Sequence, residues 1–172
     1  MRLNFFRGVD MKKIIIFLIV CSLFALAGAC AEPTAAVKSL QGLKHVKIIC
    51  DMNVGEPKLL LKRMELLDTT YRQLEAAGVK ATVVVAFRGK ASFFITKGDG
   101  YVPADAVAAK REARSWIERF RKNGFEVEQC AIAAEMLDIQ LTDFIPEVEI
   151  VQNGYVSIVG YQQQGYAYLP MD

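Results

Sequence analysis

The sequence predicts an α/β fold, a three-layer sandwich with a mostly parallel sheet flanked by helices. Three observations carry this reading. From residue 45 onward, strand-length apolar runs alternate with helix-length amphipathic stretches. The run "VKATVVVAF", residues 79–87, has almost no polar alternation, as expected of a strand covered on both faces. Glycines stand where the longer helical patterns stop, at Gly78, Gly124 and Gly165.

The elements follow in order. "HVKIICDMN", residues 45–53, is an apolar, β-branched run ending in turn formers, and reads as the first strand. Pro57 suits a first helical turn. Leu60, Met64, Leu67, Tyr71 and Leu74 then recur at steps of four, three, four and three, one stripe of a helix that ends at Gly78. After the second strand, "RGKASFFITKGDGYVP" reads as a loop with an apolar patch or a short strand, and its "KGDG" at 97–100 as a turn. Residues 104–123 form a second helix with Ala109, Ala113, Trp116 or Ile117, and Phe120 inward. "FEVEQ" is a third strand, "AIAAEMLDI" a short helix, "TDFIPEVEIVQNG" contains a fourth strand, and "YVSIVGYQQQ" is the last helix. Parallel sheets gather ligands at the carboxyl ends of their strands, so Asp51-Met52-Asn53, Arg88-Gly89-Lys90 and Cys130 are expected on one edge.

The N-terminus has a different grammar. "MKKIIIFLIVCSLFALAGACAEP" begins with charge, continues with the apolar run Ile14 to Ala27 and ends in small residues. The run falls short of the roughly 20 residues that span a bilayer. Residues 1–31 are therefore read as a secretory signal, with translation starting at Met1 or Met11. Residues 32–44 are a polar leader and 45–172 the folded domain. Cleavage is expected at Ala29-Cys30-Ala31, with Ala27-Gly28-Ala29 as the second choice. Cys30 is the alternative site of lipidation, although Leu26 sits one place too far back for a good lipobox. The expected location is the periplasm, with membrane contact only through an uncleaved or lipidated signal. Removing Arg2, Arg7, Lys12, Lys13 and Asp10 from 21 basic and 19 acidic residues leaves 17 against 18, so the formal +2 charge belongs to the signal. No clustered basic face points to nucleic acid.

Two cysteines then remain, Cys50 and Cys130, and an oxidising compartment leaves a disulfide between them open. His45 is the only histidine and reads as a polar residue leading into the first strand. No Cys/His cluster has zinc spacing, and neither a P-loop nor a GxGxxG is present, so no metal and no cofactor is expected. A flavodoxin-like flavin site would need a Ser/Thr-rich phosphate loop that the sequence lacks. Cys50 shares a face with Val46 and Ile48, which marks a buried structural thiol. Alternation sets Phe125 and Val127 on one side of the third strand and Glu126, Glu128 and Cys130 on the other. Cys130 thus points away from the apolar face, just before a helix whose free amides favour a thiolate. It reads as a small apolar plug, half of a disulfide, or a nucleophile. Arg88 and Lys90 around Gly89 read either as an anion cradle or as solvated charges, and Glu126 and Glu128 as solvated carboxylates.

The closing stretch "NGYVSIVGYQQQGYAYLP", residues 153–170, resembles that of the DsrE/DsrF-like family. The resemblance extends back through "HVKIICDMN", "GVKATVVVAFRG" and "NGFEVEQCAIAAEML", where the family carries a cysteine at the start of a helix. It implies an α/β sandwich that assembles as a homo-oligomer, a trimer or hexamer. It also implies a cysteine that accepts sulfane sulfur as a persulfide and passes it on, with a sulfur donor or acceptor protein as partner. Cys130 aligns with that cysteine. Gly154, Gln164, Gly165 and Tyr166 match the closing motif, whose implied role is to shape the site or the subunit contact. Two features depart from the family pattern: the export signal, and Arg88-Gly89 where many relatives carry His-Gly. The expected function is an exported sulfur carrier or sulfurtransferase-like protein. The alternative is a non-catalytic oligomeric binding protein with a degenerate site or a Cys50–Cys130 disulfide.

Overall fold

A computed structural model describes residues 38–172, so the expected signal over 1–31 and the first part of the leader lie outside the described residues. The regular elements are β1 (His45–Met52), α1 (Pro57–Ala76), β2 (Lys80–Phe87), α2 (Val107–Lys122), β3 (Glu126–Cys130), α3 (Ala131–Met136), β4 (Glu149–Val151), α4 (Gly154–Gln163) and β5 (Ala167–Pro170). The strands form one sheet in the order β4-β3-β2-β1-β5, and every neighbouring pair is parallel. The fold is the α/β sandwich the sequence predicts, with a sheet that is wholly rather than mostly parallel.

The pleat divides each strand between two faces. Ile48, Cys50 and Met52 of β1, Val83, Val85 and Phe87 of β2 and Val127 of β3 enter the main core. There they meet Leu60, Met64, Leu67 and Leu74 of α1 and Ala113, Ile117 and Phe120 of α2. Phe120 and Phe125 stack at 5.2 Å, and Tyr71 meets Phe125 edge-on at 4.9 Å. On the opposite face Ile49, Val84 and Ala86 pack under Ile158 of α4. This two-sided cover explains why residues 83–87 are apolar without alternation.

Local signals set the helix ends. Both carboxylate oxygens of Glu56 accept amides at the start of α1, from Lys58 N at 3.0 Å and Leu59 N at 2.6 Å, with Pro57 at the first position. Gly78 leaves α1 at a φ of +74°, which a side chain would strain.

Several expectations are corrected. Gly89–Ile95 is a 3-10 run whose Ala91, Phe94 and Ile95 are buried, so the apolar patch is a helical turn of the core rather than a loop or a short strand. Thr96 then bridges Phe144 in the antiparallel sense. The inward stripe of α2 includes Lys110, which is buried and donates from Nζ to Thr96 Oγ1 at 2.5 Å and to Gly98 O. Leu40, in a short 3-10 turn at Lys38–Leu40, packs on the core, so the end of the polar leader is part of the folded unit. β5 was not expected. It is a four-residue edge strand ending in Pro170, and an edge tolerates a residue with no amide hydrogen.

Candidate functional site at the carboxyl edge

Asp51, Arg88 and Cys130 stand at or just beyond the carboxyl ends of β1, β2 and β3, on the shared edge that the sequence predicts. The chain leaves β1, β2 and β3 toward the main core, where α1, α2 and Ala134 of α3 pack. It leaves β4 toward the other face, where α4 packs. The helices therefore part between β3 and β4, the kind of switch point at which open parallel sheets form a crevice. Cys130 sits at that switch point.

Cys130 is the N-cap of α3, and its Sγ accepts the Ala133 amide at 3.4 Å. The first residue of α4 presses against it. A Cβ on Gly154 would lie 3.1 Å from Cys130 Cβ and 3.5 Å from its Sγ, so only glycine lets this helix end come so close. Asn153 caps α4 by accepting the Tyr155 amide at 3.0 Å, and Ile132 N donates to Gln152 O at 3.3 Å, joining the two helix starts. The sulfur thus stands between the amino ends of two helices. Only 5% of Cys130 is exposed.

Cys50 stands in a different environment. It is 0% exposed in the main core, and burial pushes its thiol up to about 12. Both cysteines are free. Cys50 is level with Val85 and hence with Val127, whereas Cys130 lies three residues further along and on the other face. Two strand spacings sideways and three residues along come to about 10 Å in each direction, beyond the reach of a disulfide. The expected possibility of a Cys50–Cys130 bond is therefore not realised.

The β2–β3 register ends at Phe87 and Gln129, so the next residues, Arg88 and Cys130, are level on adjacent strands. Arg88 Nη2 donates to Asp51 Oδ2 at 2.5 Å, and the guanidinium lies 4.7 Å from the ring centroid of Tyr155, the residue after Gly154. The buried Asp51 also accepts from Tyr168 OH at 2.7 Å. Burial works against the Arg88 charge, but the hydrogen bond and charge of Asp51 outweigh it and hold the guanidinium pKa above its ordinary value. Gly89 takes a φ of +54°, and a Cβ there would stand 3.3 Å from Asn53 O. Lys90 is exposed, with its stem packed on Gly55.

Gln164, Gly165 and Tyr166 lie at the opposite end of α4, about 15 Å away at the usual helical rise. Gln164 O accepts Lys47 Nζ at 3.3 Å, Gly165 ends the helix at a φ of +86°, and Tyr166 meets Tyr161 edge-on at 4.8 Å. Of the family motif, Gly154 alone touches the sulfur.

The sequence reading missed Asp51, Tyr155 and Tyr168 as partners of Arg88, and it treated Glu128 as solvated. Glu128 is buried under α4, where Ser157 Oγ donates to its Oε2 at 2.5 Å and Tyr161 OH to its Oε1 at 2.8 Å. Burial first, then Glu128, raises the Tyr161 pKa. Gly154, Ser157 and Tyr161 follow helical spacing and meet Cys130, Glu128, and Glu126 with Glu128 in turn, a match of periods that was legible in principle. Among the described residues no three His, Cys, Asp or Glu side chains converge to hold a metal ion.

The sequence model of the DsrE/DsrF-like family matches residues 58–171, from α1 to the residue after β5. The curated proteins contain no match. Among solved structures, MTH1491 of Methanobacterium thermoautotrophicum, titled a protein of unknown function, superposes with a TM-score of 0.52 at 17% identity. The alignment covers 73% of this chain and 97% of that one, and it establishes the fold.

Proposed function

The chain belongs to the DsrE/DsrF-like family, and from that premise we propose that it is an exported, sulfurtransferase-like carrier that holds sulfane sulfur as a persulfide on Cys130. Family membership is consistent with a sulfur-relay role. The observation that carries the finer reading is the free Cys130 sulfur accepting a backbone amide at the parting of two helices. The Cys130 thiolate attacks the outer sulfur of a donor R–S–SH. A new S–S bond forms as the donor's breaks, R–S⁻ leaves, and the outer sulfur keeps its proton. An acceptor thiolate then takes that sulfur by the same exchange and restores Cys130. Sulfur moves without net oxidation. Arg88 and the α4 amides offer positive potential to the anionic sulfur species.

The test is to incubate the full chain, carrying Cys21→Ser and Cys30→Ser, with inorganic polysulfide and weigh it. The expected product is heavier by whole sulfur atoms at Cys130, and Cys130→Ser stays unmodified. No mass gain in the wild type, or the same gain in both proteins, would refute the carrier. The 5% exposure of Cys130 favours a second reading, a non-catalytic oligomeric binding protein, which predicts no mass gain at Cys130.

Self-assembly is part of the proposal. Tyr155, Val156 and Val159 of α4 are exposed although the other side of the helix is buried, a helix apolar nearly all round. Sedimentation should find a trimer or hexamer, and Val156→Lys with Val159→Lys should yield monomers. Export is tested by the N-terminal residue of protein recovered from a periplasmic fraction, expected close to Glu32.

A further inference from the structure

We propose that Asp51 is a specificity-determining residue that holds Arg88 in a resting ion pair and so limits how strongly the Cys130 site attracts an anionic sulfur donor. The inference rests on the carrier reading and names the substrate property that the site selects, which is charge. Arg88 is the cation level with Cys130, one residue beyond the last β2–β3 pair. Lys90 is exposed with its stem turned onto Gly55, so it does not share this place.

The Arg88 charge is not free. One of its terminal nitrogens is spent on Asp51 Oδ2 at 2.5 Å, and Asp51 is almost fully buried. Tyr168 OH, from the edge strand β5, donates to the same oxygen at 2.7 Å and holds the carboxylate in place. The Tyr155 ring lies 4.7 Å from the guanidinium carbon, which fixes the cation beside the first turn of α4. A paired guanidinium and carboxylate present a dipole in place of a unit charge. An anion near Cys130 therefore gains from Arg88 only as far as it competes with Asp51. The pair also has unspent capacity: Asp51 Oδ1 and Arg88 Nε are buried without a partner among the described residues.

The experiment compares two aromatic disulfides that react by the same exchange, one dianionic (a bis-carboxylate) and one neutral (a dipyridyl). The Cys130 thiolate forms a mixed disulfide, the reagent S–S bond breaks, and an aryl thiolate leaves and is read by absorbance. The protein is the full chain with Cys21→Ser and Cys30→Ser, and Cys130→Ser supplies the background. The readout is the ratio of the dianionic to the neutral rate constant. Asp51→Asn keeps the shape and removes the competing charge, and the ratio should rise about fivefold. Arg88→Gln should lower it about fivefold, Arg88→Lys should hold it within about twofold, and the Asp51→Asn/Arg88→Gln double variant should return it to within about twofold of the parent.

If Asp51→Asn does not fold, the Arg88 pair of variants decides. A ratio indifferent to Asp51 and Arg88, with Cys130 still reactive, overturns this inference alone. A ratio that falls as far in Lys90→Gln as in Arg88→Gln also overturns it, because diffuse surface charge would then suffice. No adduct on Cys130 from either reagent overturns the carrier reading and this inference with it.

Discussion

The two faces of the sheet share the same strands and do different work. Toward α1 and α2, the side chains of β1, β2 and β3 are apolar, apart from the thiol of Cys50 and the buried amide of Gln129, which donates from Nε2 to Cys130 O at 2.7 Å. Toward α4, the alternate residues of those strands include Asp51, Glu128 and Cys130, and each of these carries hydrogen bonds. The cysteines make the contrast concrete. Cys50 is enclosed by apolar side chains and its thiol is pushed up to about 12. Cys130 accepts an amide and touches the glycine that opens α4. A single chain thus separates stability from chemistry by the pleat alone, since neighbouring residues point to opposite faces.

The strongest way to break this division is to damage the hydrocarbon face and ask whether the polar face responds. Phe120 is fully buried and stacks on Phe125. Phe120→Ala removes that packing and leaves a cavity, at an expected cost of about 3–5 kcal/mol in urea unfolding. In native buffer the rate at which a neutral reagent modifies Cys130 should stay within about twofold, because no Phe120 contact reaches the α4 side. A Cys130 rate that moves in step with stability would show that the faces are not separable.

The next effect is a titration. A folded thiol at about 12 compares with 9.0 for the free group. Below pH 9 both states hold the proton and Cys50 adds no pH dependence. As pH rises above 9 the unfolded thiol ionises while the buried one keeps its proton, so the folded state loses relative stability until the pH passes about 12. The loss should reach roughly 2 kcal/mol by about pH 10.5. Unfolding curves of wild type and Cys50→Ala, collected across that range, should converge with rising pH. Parallel curves would mean that the thiol is less enclosed than its neighbours suggest.

Legibility followed the same division. The hydrocarbon face could be read from periodicity: the stripe from Leu60 to Leu74, the unbroken run of β2 and the glycine stops all lie where the pattern puts them. The edge convergence of Asp51, Arg88 and Cys130 followed from parallel topology alone. The polar face was harder, because a buried charge is defined by partners remote in sequence. Glu128 is satisfied by Ser157 and Tyr161, and Asp51 by Arg88 and Tyr168, none of them nearby along the chain. Lys110 was hidden for the same reason, since its acceptors lie in the 96–98 turn. β5 escaped because four residues ending in proline carry too little pattern, and only pairing with β1 makes them a strand.

The smallest expected change in stability tests the contact between Gly154 and Cys130. Gly154→Ala adds a methyl 3.1 Å from Cys130 Cβ and 3.5 Å from Sγ, so the start of α4 must give by a few tenths of an ångström. Alanine also gains helix propensity over glycine, up to about 1 kcal/mol, which offsets the crowding. Net stability should therefore shift by less than about 1 kcal/mol. Access to the sulfur should suffer more, because the methyl lies over its approach, and alkylation of Cys130 by a neutral reagent should slow about fivefold. Such a variant would separate reactivity from folding at a single atom. If alkylation proceeds at the parental rate, the first turn of α4 does not govern access, and Gly154 serves only to let two helix ends meet.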